Sequence, residues 1–384
     1  MSIRSGFVIR SATLGAALSF VFLVIVPLCG EPVVAEGLWL PAQNLAPSAG
    51  DAVDVALARD AEGRVHVVWS EGGLLYHRVR VGGAWSARTE IGMGDRPSLA
   101  ADSAGRVHLA HIARGHEVDQ VYYRTWAAGA GWGSALNISE STNPTLDPAI
   151  AVSSSGKLAI VWTELSGDAL LLYAGRSETG AVWSAAPVPQ AYGTNAAVVF
   201  NGPDRPVVAW QDVFDEGFPL EVLVSEWTGA AWTLPVDVSF SPLAESLQPM
   251  FISAPAGLAL AWIEDGQVAI VQRDGEGWGD PRVVHSSGVI SLTAGGDGGD
   301  KAHLLWAQGD GTIWEQSWDL GAGSLGPAGR VASGQVQIGQ VSVAADTRSA
   351  YAAWIAAGPE GQDVFFSMTM DQSHELALPL IRRR

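Results

Sequence analysis

Four Trp-x-acid triplets are the first residues in this chain whose type and spacing could do chemistry: Trp69/Glu71, Trp162/Glu164, Trp210/Asp212 and Trp262/Glu264. On a strand, residues two apart share a face, so each carboxylate should lie on the side of its tryptophan and the four should converge on one rim. Several carboxylates on one rim suit a hard cation such as Ca²⁺, or supply the acid and base of a glycoside hydrolase. The plainer reading is that acids at strand ends solubilise loops and discourage edge pairing, and a feature shared by several repeats usually serves the repeat. His66, His108 and His303 invite a metal reading. Each falls three residues before the end of a similar apolar run, so they belong to separate repeats and do not converge on one point.

Departures from the pattern carry more information than the pattern. Where other runs end in Trp, one ends in His111, followed by a loop carrying Arg114, His116, Glu117 and Asp119. The loop Gln211 to Pro219 is the longest of its kind and carries Asp212, Asp215 and Glu216. A specific ligand is expected at these two loops first, with Glu71, Glu164 and Glu264 beside them. Glu117 and Asp119 are expected to share a proton with His111 or His116 and raise its pKa. No Ser-His-Asp set, phosphate loop or nucleotide fingerprint competes with them.

The elements that position these residues follow from internal repetition. Apolar runs end at Trp69, His111, Trp162, Trp210, Trp262, Trp306 and Trp354, giving seven units. They recur about every 48 residues, a period characteristic of stacked supersecondary units. A second series, Gly-x-x-Trp, is offset from the first at Trp85, Trp132, Trp183, Trp232 and Trp278, with Ser324 in the sixth place. Each unit then reads as four short antiparallel strands, and seven such units predict an all-β, seven-bladed β-propeller. The seventh unit reaches its third strand near Val364 to Met368 without a Gly-x-x-Trp after it, whereas Leu38 to Leu45 has the fourth-strand pattern with no blade before it. The N-terminal strand should therefore complete the last blade, with Glu375 to Ile381 as the competing closure.

One turn resembles the Asp-box (BNR) repeat of the sialidase-like propellers: Ser317, Asp319 and Gly321 fit it, with Ser324 where Trp belongs, and Glu178 is the nearest acidic substitute elsewhere. The resemblance spans all seven units in degenerate form and implies a fold; fold does not fix function. In sialidases three arginines clamp the substrate carboxylate and an Asp with a Tyr/Glu pair does the chemistry. Asp95-Arg96-Pro97 is the nearest approach to the first arginine motif and does not match it.

Composition sets the outer bounds. The 384 residues are 48% hydrophobic and 16% charged, with 45 Gly, 16 Trp and a formal charge of −18. That charge repels nucleic acid and anionic membranes. The loops from second to third strand hold Glu71, Glu117, Asp119, Glu164, Asp168, Asp212, Asp215, Glu216, Glu264, Asp265, Asp310 and Glu360 against one cation, Arg114, while most other basic residues fall in turns of the opposite face. Residues 1–35 read as an export leader, with Arg4 and Arg10 before an apolar run and Val33-Val34-Ala35 as the cleavage pattern. An uncleaved anchor and a lipid on Cys29, the only cysteine, are the alternatives. The sequence thus predicts a leader over 1–35, one propeller over 36–370 and a tail over 371–384. Its function reads as a monomeric, non-enzymatic binding module outside the cytoplasm, whose acidic face takes a cationic ligand, a protein or a glycan. No cofactor is expected beyond Ca²⁺ at the carboxylates, and the alternative is a sialidase-like hydrolase using rim carboxylates such as Glu164 or Asp212.

Overall fold

The Trp-ended runs are apolar on both faces, and they form strands that are covered on both sides. Val65–Glu71 and Ala350–Ala357 are buried almost end to end, as are Leu158–Ser166, Arg205–Asp212 and Gly257–Glu264 over their central residues. A strand with no polar face must lie inside a stack of sheets. The computed structural model describes residues 39–370 apart from 48–49, 116, 168, 213–218, 242, 276 and 286, and every regular element among them is a β-strand. The leader, Cys29 and the Glu375 to Ile381 closure lie outside the described residues.

All ladders are antiparallel and most pair neighbours in sequence. The first unit is typical: Ala52–Arg59 pairs with Val65–Glu71, which pairs with Leu74–Val81, which pairs with the short outer pieces Ala84–Trp85 and Thr89–Met93. Five sheets have four or five strands and one has seven. The wide sheet arises from Ser184–Asn201, an 18-residue strand. Its first part is the outer neighbour of Ala169–Ser177 and its second part, from Gly193, is the inner neighbour of Arg205–Asp212.

The inner strands stand side by side in order around a ring: Ala52–Arg59, Asp95–Ala101, Thr145–Val152, Ser184–Asn201, Ser246–Ala254, Val289–Gly296 and Val341–Ala345, the last again beside the first. That seam is hydrogen-bonded, with Val55 N donating to Gln340 Oε1 at 2.9 Å and Leu57 N to Ser342 Oγ at 3.0 Å. The architecture is an all-β propeller. Between consecutive sheets lie the core layers; one of them packs Leu45, Val55, Val67 and Trp69 against Ala353, Ile355, Val364 and Phe366.

The N-terminal segment is part of that layer. Gln43–Asn44 pairs with Phe366 and Phe365 of the strand Gln362–Met368, and Trp39 bridges to Thr369. Asn44 Nδ2 donates to Asp363 Oδ2 at 2.7 Å, and Leu45 is only 1% exposed. Replacing Leu45 with Ala should cost about 2–5 kcal/mol, the range for a buried leucine. Deleting residues 36–45 should leave Gln362–Met368 as an unpaired edge and promote aggregation. Denaturant melting and light scattering check both; a deletion variant as stable and monodisperse as the full chain would contradict this role.

Candidate functional site

The Trp-x-acid triplets do not form a free rim. Glu71 and Glu164 are buried, at 8% and 6% exposure. For Glu71 and Glu264 the physical reason is the parity that makes Trp and acid neighbours: the indole lies between sheets, and the acid is the acceptor for its N–H. Trp262 Nε1 donates to Glu264 Oε2 at 2.8 Å and Trp69 Nε1 to Glu71 Oε2 at 3.3 Å. Arg88 adds an ion pair to Glu71 at 3.1 Å and covers the Tyr76 ring at 3.6 Å. Glu164 instead accepts from Asn143 Nδ2 at 2.9 Å, and Asp212 is half-buried at the end of its strand. The face is also less one-sided than the second-to-third-strand loops imply, because Arg88, between the outer pieces Ala84–Trp85 and Thr89–Met93, pairs with Glu71, and Arg96, inside the inner strand Asp95–Ala101, pairs with Asp147.

The histidines at repeat positions form separate buried networks. His66 Nε2 lies 3.1 Å from Asp60 Oδ2 and its Nδ1 lies 3.1 Å from His77 Nε2. Neutral rings satisfy both contacts if His77 donates to His66 and His66 donates to Asp60. In the next sheet His108 Nε2 lies 3.2 Å from Asp102 Oδ2 and its Nδ1 lies 2.7 Å from the Tyr123 hydroxyl. His303 Nδ1 lies 2.6 Å from Glu315 Oε1. Burial pushes both Asp60 and Asp102 upward, yet hydrogen bonds from their Arg and His partners outweigh it and hold both carboxyls below the usual range. Among the described residues no group of three His, Cys, Asp or Glu stands close enough to hold a metal ion.

His111 corrects the expectation built on it. Its pKa is not raised by Glu117 or Asp119; burial lowers it to about 4. Its Nδ1 lies 3.2 Å from the Ile112 carbonyl, and Nε2 is buried with no partner among the described residues. The ring stacks on Tyr122, as Trp162 stacks on Tyr173 and Trp354 on Phe365, so His111 keeps the place of the indole. Gly94 explains the fit: a Cβ there would come 2.6 Å from His111 Nδ1, just as one at Gly193 would come 2.7 Å from Trp210 Cδ1. Of the other residues expected nearby, Glu117 is exposed, Asp119 pairs with Arg114 at 3.5 Å, and His116 and Asp215 lie outside the described residues.

The residues that do converge sit where the inner strands reach the loop face. Six of these ladders are interrupted by a register shift, and in four of the six the shift skips two residues: between Asp95 and Ser98, Leu146 and Ala149, Thr194 and Ala197, and Leu247 and Met250. In each of these four one polar residue has left-handed backbone: Arg96 at φ 48°, Asp147 at 49°, Asn195 at 51° and Gln248 at 52°. Non-glycine residues occupy that region at a cost, and β-bulges re-aim side chains. Arg96 Nη1 reaches Asp147 Oδ1 at 2.5 Å across two sheets, its backbone N donates to Asp54 Oδ2 at 3.0 Å, and Asn195 Nδ2 donates to Gln211 Oε1 at 3.0 Å. Burial, with the charges of Asp54 and Asp119 beside it, pushes the Asp95 carboxyl up against the opposing pull of Arg96. The sequence carried a signal for this ring that the Trp pattern masked: a polar residue followed by Pro at Arg96-Pro97, Asp147-Pro148 and Gln248-Pro249.

Solved structures that share this fold share little sequence with it. A protein of unknown function from Dyadobacter fermentans superposes with a TM-score of 0.55 at 13% identity, over 86% of this chain and 100% of that one. The Aleuria aurantia lectin, a fungal six-bladed β-propeller with a fucose recognition mode, gives 0.49 at 12% identity over 76% of this chain and 99% of its own. Trypanosoma rangeli sialidase in complex with the inhibitor DANA gives 0.49 at 10% identity over 83% of this chain and 55% of its own. At these identities the likeness is one of fold. No family model matches the sequence, and no curated protein does.

The buried imidazoles make stability depend on pH in a stated direction. His111 and His77 are held neutral by burial, with pKa values of about 4 and about 3 against 6.5 for a free imidazole. The unfolded chain therefore binds more protons than the folded one between those values and 6.5, so stability is fully present above pH 6.5 and falls as pH drops. His111→Trp should remove one such proton site, fill the indole place and leave the protein at least as stable at neutral pH. Thermal melts across pH 4 to 7 should show a shallower acid loss for that variant; an unchanged slope would contradict a neutral His111.

Proposed function

We propose that this protein is a non-enzymatic binding module that acts outside the cytoplasm as a monomer, and that its loop-face channel mouth recognises a ligand carrying positive charge. The ring is read as seven-bladed, a count supported by the strand Ser184–Asn201, which serves as the outer strand of one unit and the inner strand of the next. Residues 1–35 are the leader, the degenerate turn at Ser317 to Gly321 is an Asp-box remnant, and the segment after Ala35 completes the last blade.

Asp95 carries the reading. Its carboxyl is half-buried, has no hydrogen bond among the described residues, and stands beside Asp54 and Asp119 in a field that opposes its ionisation. Arg96, the cation that offsets this field, is tied to Asp147. A cationic group placed at Asp95 relieves that field, and a low-dielectric mouth strengthens the attraction. A basic peptide segment or an amino sugar of a glycan has suitable chemistry; Ca²⁺ is the minimal member of the class and finds no gathered ligand set in the described residues. The hydrolase alternative passes through the same residue, since Asp95 is the carboxyl whose pKa is raised among the described residues, whereas Glu164 is buried as an acceptor for Asn143.

Calorimetric titration with a lysine-rich peptide, glucosamine and Ca²⁺ at low and high salt tests this, with chromogenic glycosides assayed beside it. Binding of at least one of them should weaken steeply with salt and fall by roughly tenfold or more in Asp95→Asn. Binding that ignores both salt and that substitution would refute the proposal. Glycoside turnover abolished by Asp95→Asn would replace it with the hydrolase.

A further inference from the structure

A second concavity lies away from the channel mouth, between the first two sheets of the ring. It is a cleft of ≈ 320 Å³ walled by Leu74–Val81 and Thr89–Met93 on one side and by Asp119–Ala127 and Gly131–Trp132 on the other. Its lining mixes two indoles, Trp126 and Trp132, with Arg124, His77, Glu90 and Thr89. That volume sits at the low end of the roughly 300–1,000 Å³ of small-molecule sites, enough for one ring and too little for an oligosaccharide.

The unusual group is Arg124. Desolvation by burial weakens its hold on its proton, yet no carboxylate pairs with it among the described residues. Its Nη1 donates to the Gly133 carbonyl at 3.3 Å, and Nε is buried without a partner. A guanidinium partly withdrawn from water without a counter-ion is costly, and this one lines the cleft with no carboxylate accepting from it among the described residues. Trp132 supplies the apolar wall: it meets His77 edge to face at 5.4 Å and stays half-exposed. In the neutral tautomers that satisfy both His66 contacts, His77 donates through Nε2 and keeps Nδ1 as an acceptor. Glu90 is exposed and adds a carboxylate acceptor on the opposite wall.

We propose that this cleft binds a single neutral sugar ring, its apolar face against Trp132 and its vicinal hydroxyls shared between the Arg124 donors and the acceptors of Glu90 and His77. Hydroxyls both donate and accept, so one ring satisfies a guanidinium and a carboxylate at once. A purely apolar ligand would leave Arg124 unfilled, and an anionic sugar would meet Glu90. The site is separate from the acidic mouth and stands or falls without it.

The test is titration of the full chain with galactose, fucose, mannose, glucose and glucuronic acid, read by tryptophan fluorescence and saturation-transfer NMR. At least one neutral sugar should bind at millimolar concentration or tighter, with saturation transferred to its ring protons. Trp132→Ala and Arg124→Leu should each weaken that binding by roughly tenfold or more. Arg124→Leu should fold with an unchanged or higher Tm because it removes a desolvated charge, and Thr89→Ala, an exposed substitution, gives a milder second probe of the same wall. The proposal is overturned if no neutral sugar binds, if binding survives both Trp132→Ala and Arg124→Leu, or if glucuronic acid alone binds.

Discussion

The structure depends on one repeated contact, the burial of a large flat side chain at the end of each second strand. Trp69, Trp162, Trp210, Trp262, Trp306 and Trp354 are all essentially inaccessible to water, and His111 occupies the remaining place. Each fills space between consecutive sheets, so no unit buries its own core alone. The stability of a unit is therefore the stability of its two neighbours, which is the general condition of closed repeat proteins. Everything else on the molecule is arranged around that layer: the acids that cap indoles, the glycines that admit them, and the bulges that turn the inner strands outward above them.

The cost of the layer is polar. An indole brings an N–H into an apolar space, and only some units satisfy it: Trp69 and Trp262 find the acid two residues on, Trp354 finds Gln335, and Trp162, Trp210 and Trp306 have no partner among the described residues. On the opposite face the same economy appears in the turns, where Asp60 with Arg64 and His66, and Asp102 with Arg106 and His108, close polar networks under their sheets. Two faces thus carry different work. One seals the ends of the strands, and the other, with its bulged residues in left-handed backbone, presents charge that is not fully neutralised.

The fold was legible because its signal is local and repeated. Trp at the end of an apolar run and a Gly-x-x-Trp turn further along the same unit survive in a single sequence, and the pairing of Gln43–Asn44 with Gln362–Met368 could be foreseen from a strand pattern lacking its blade. The site was less legible for physical reasons. Parity alone placed Glu71 and Glu264 beside their tryptophans, but whether that side is a solvated rim or a sheet interface is decided by neighbouring units. The neutral state of His111 follows from enclosure by Tyr122 and Gly94, which sequence proximity to Glu117 and Asp119 does not report. Asp95 acquires its character first from burial and then from Asp54 and Asp119, all of which come from folding and not from spacing. The cleft at Arg124 depends on how two sheets splay, for which no residue pattern stands.

Asp95 is the proposed anchor for a cationic ligand at the channel mouth, and its titration is the direct measure of that role. Carbon-detected NMR of the aspartate carboxyls should place Asp95 above the ordinary 3.8, and saturating cationic ligand should bring it down. An Asp95 that titrates at or below 3.8, or one that does not move when ligand binds, would contradict the claim that this mouth is built to receive positive charge.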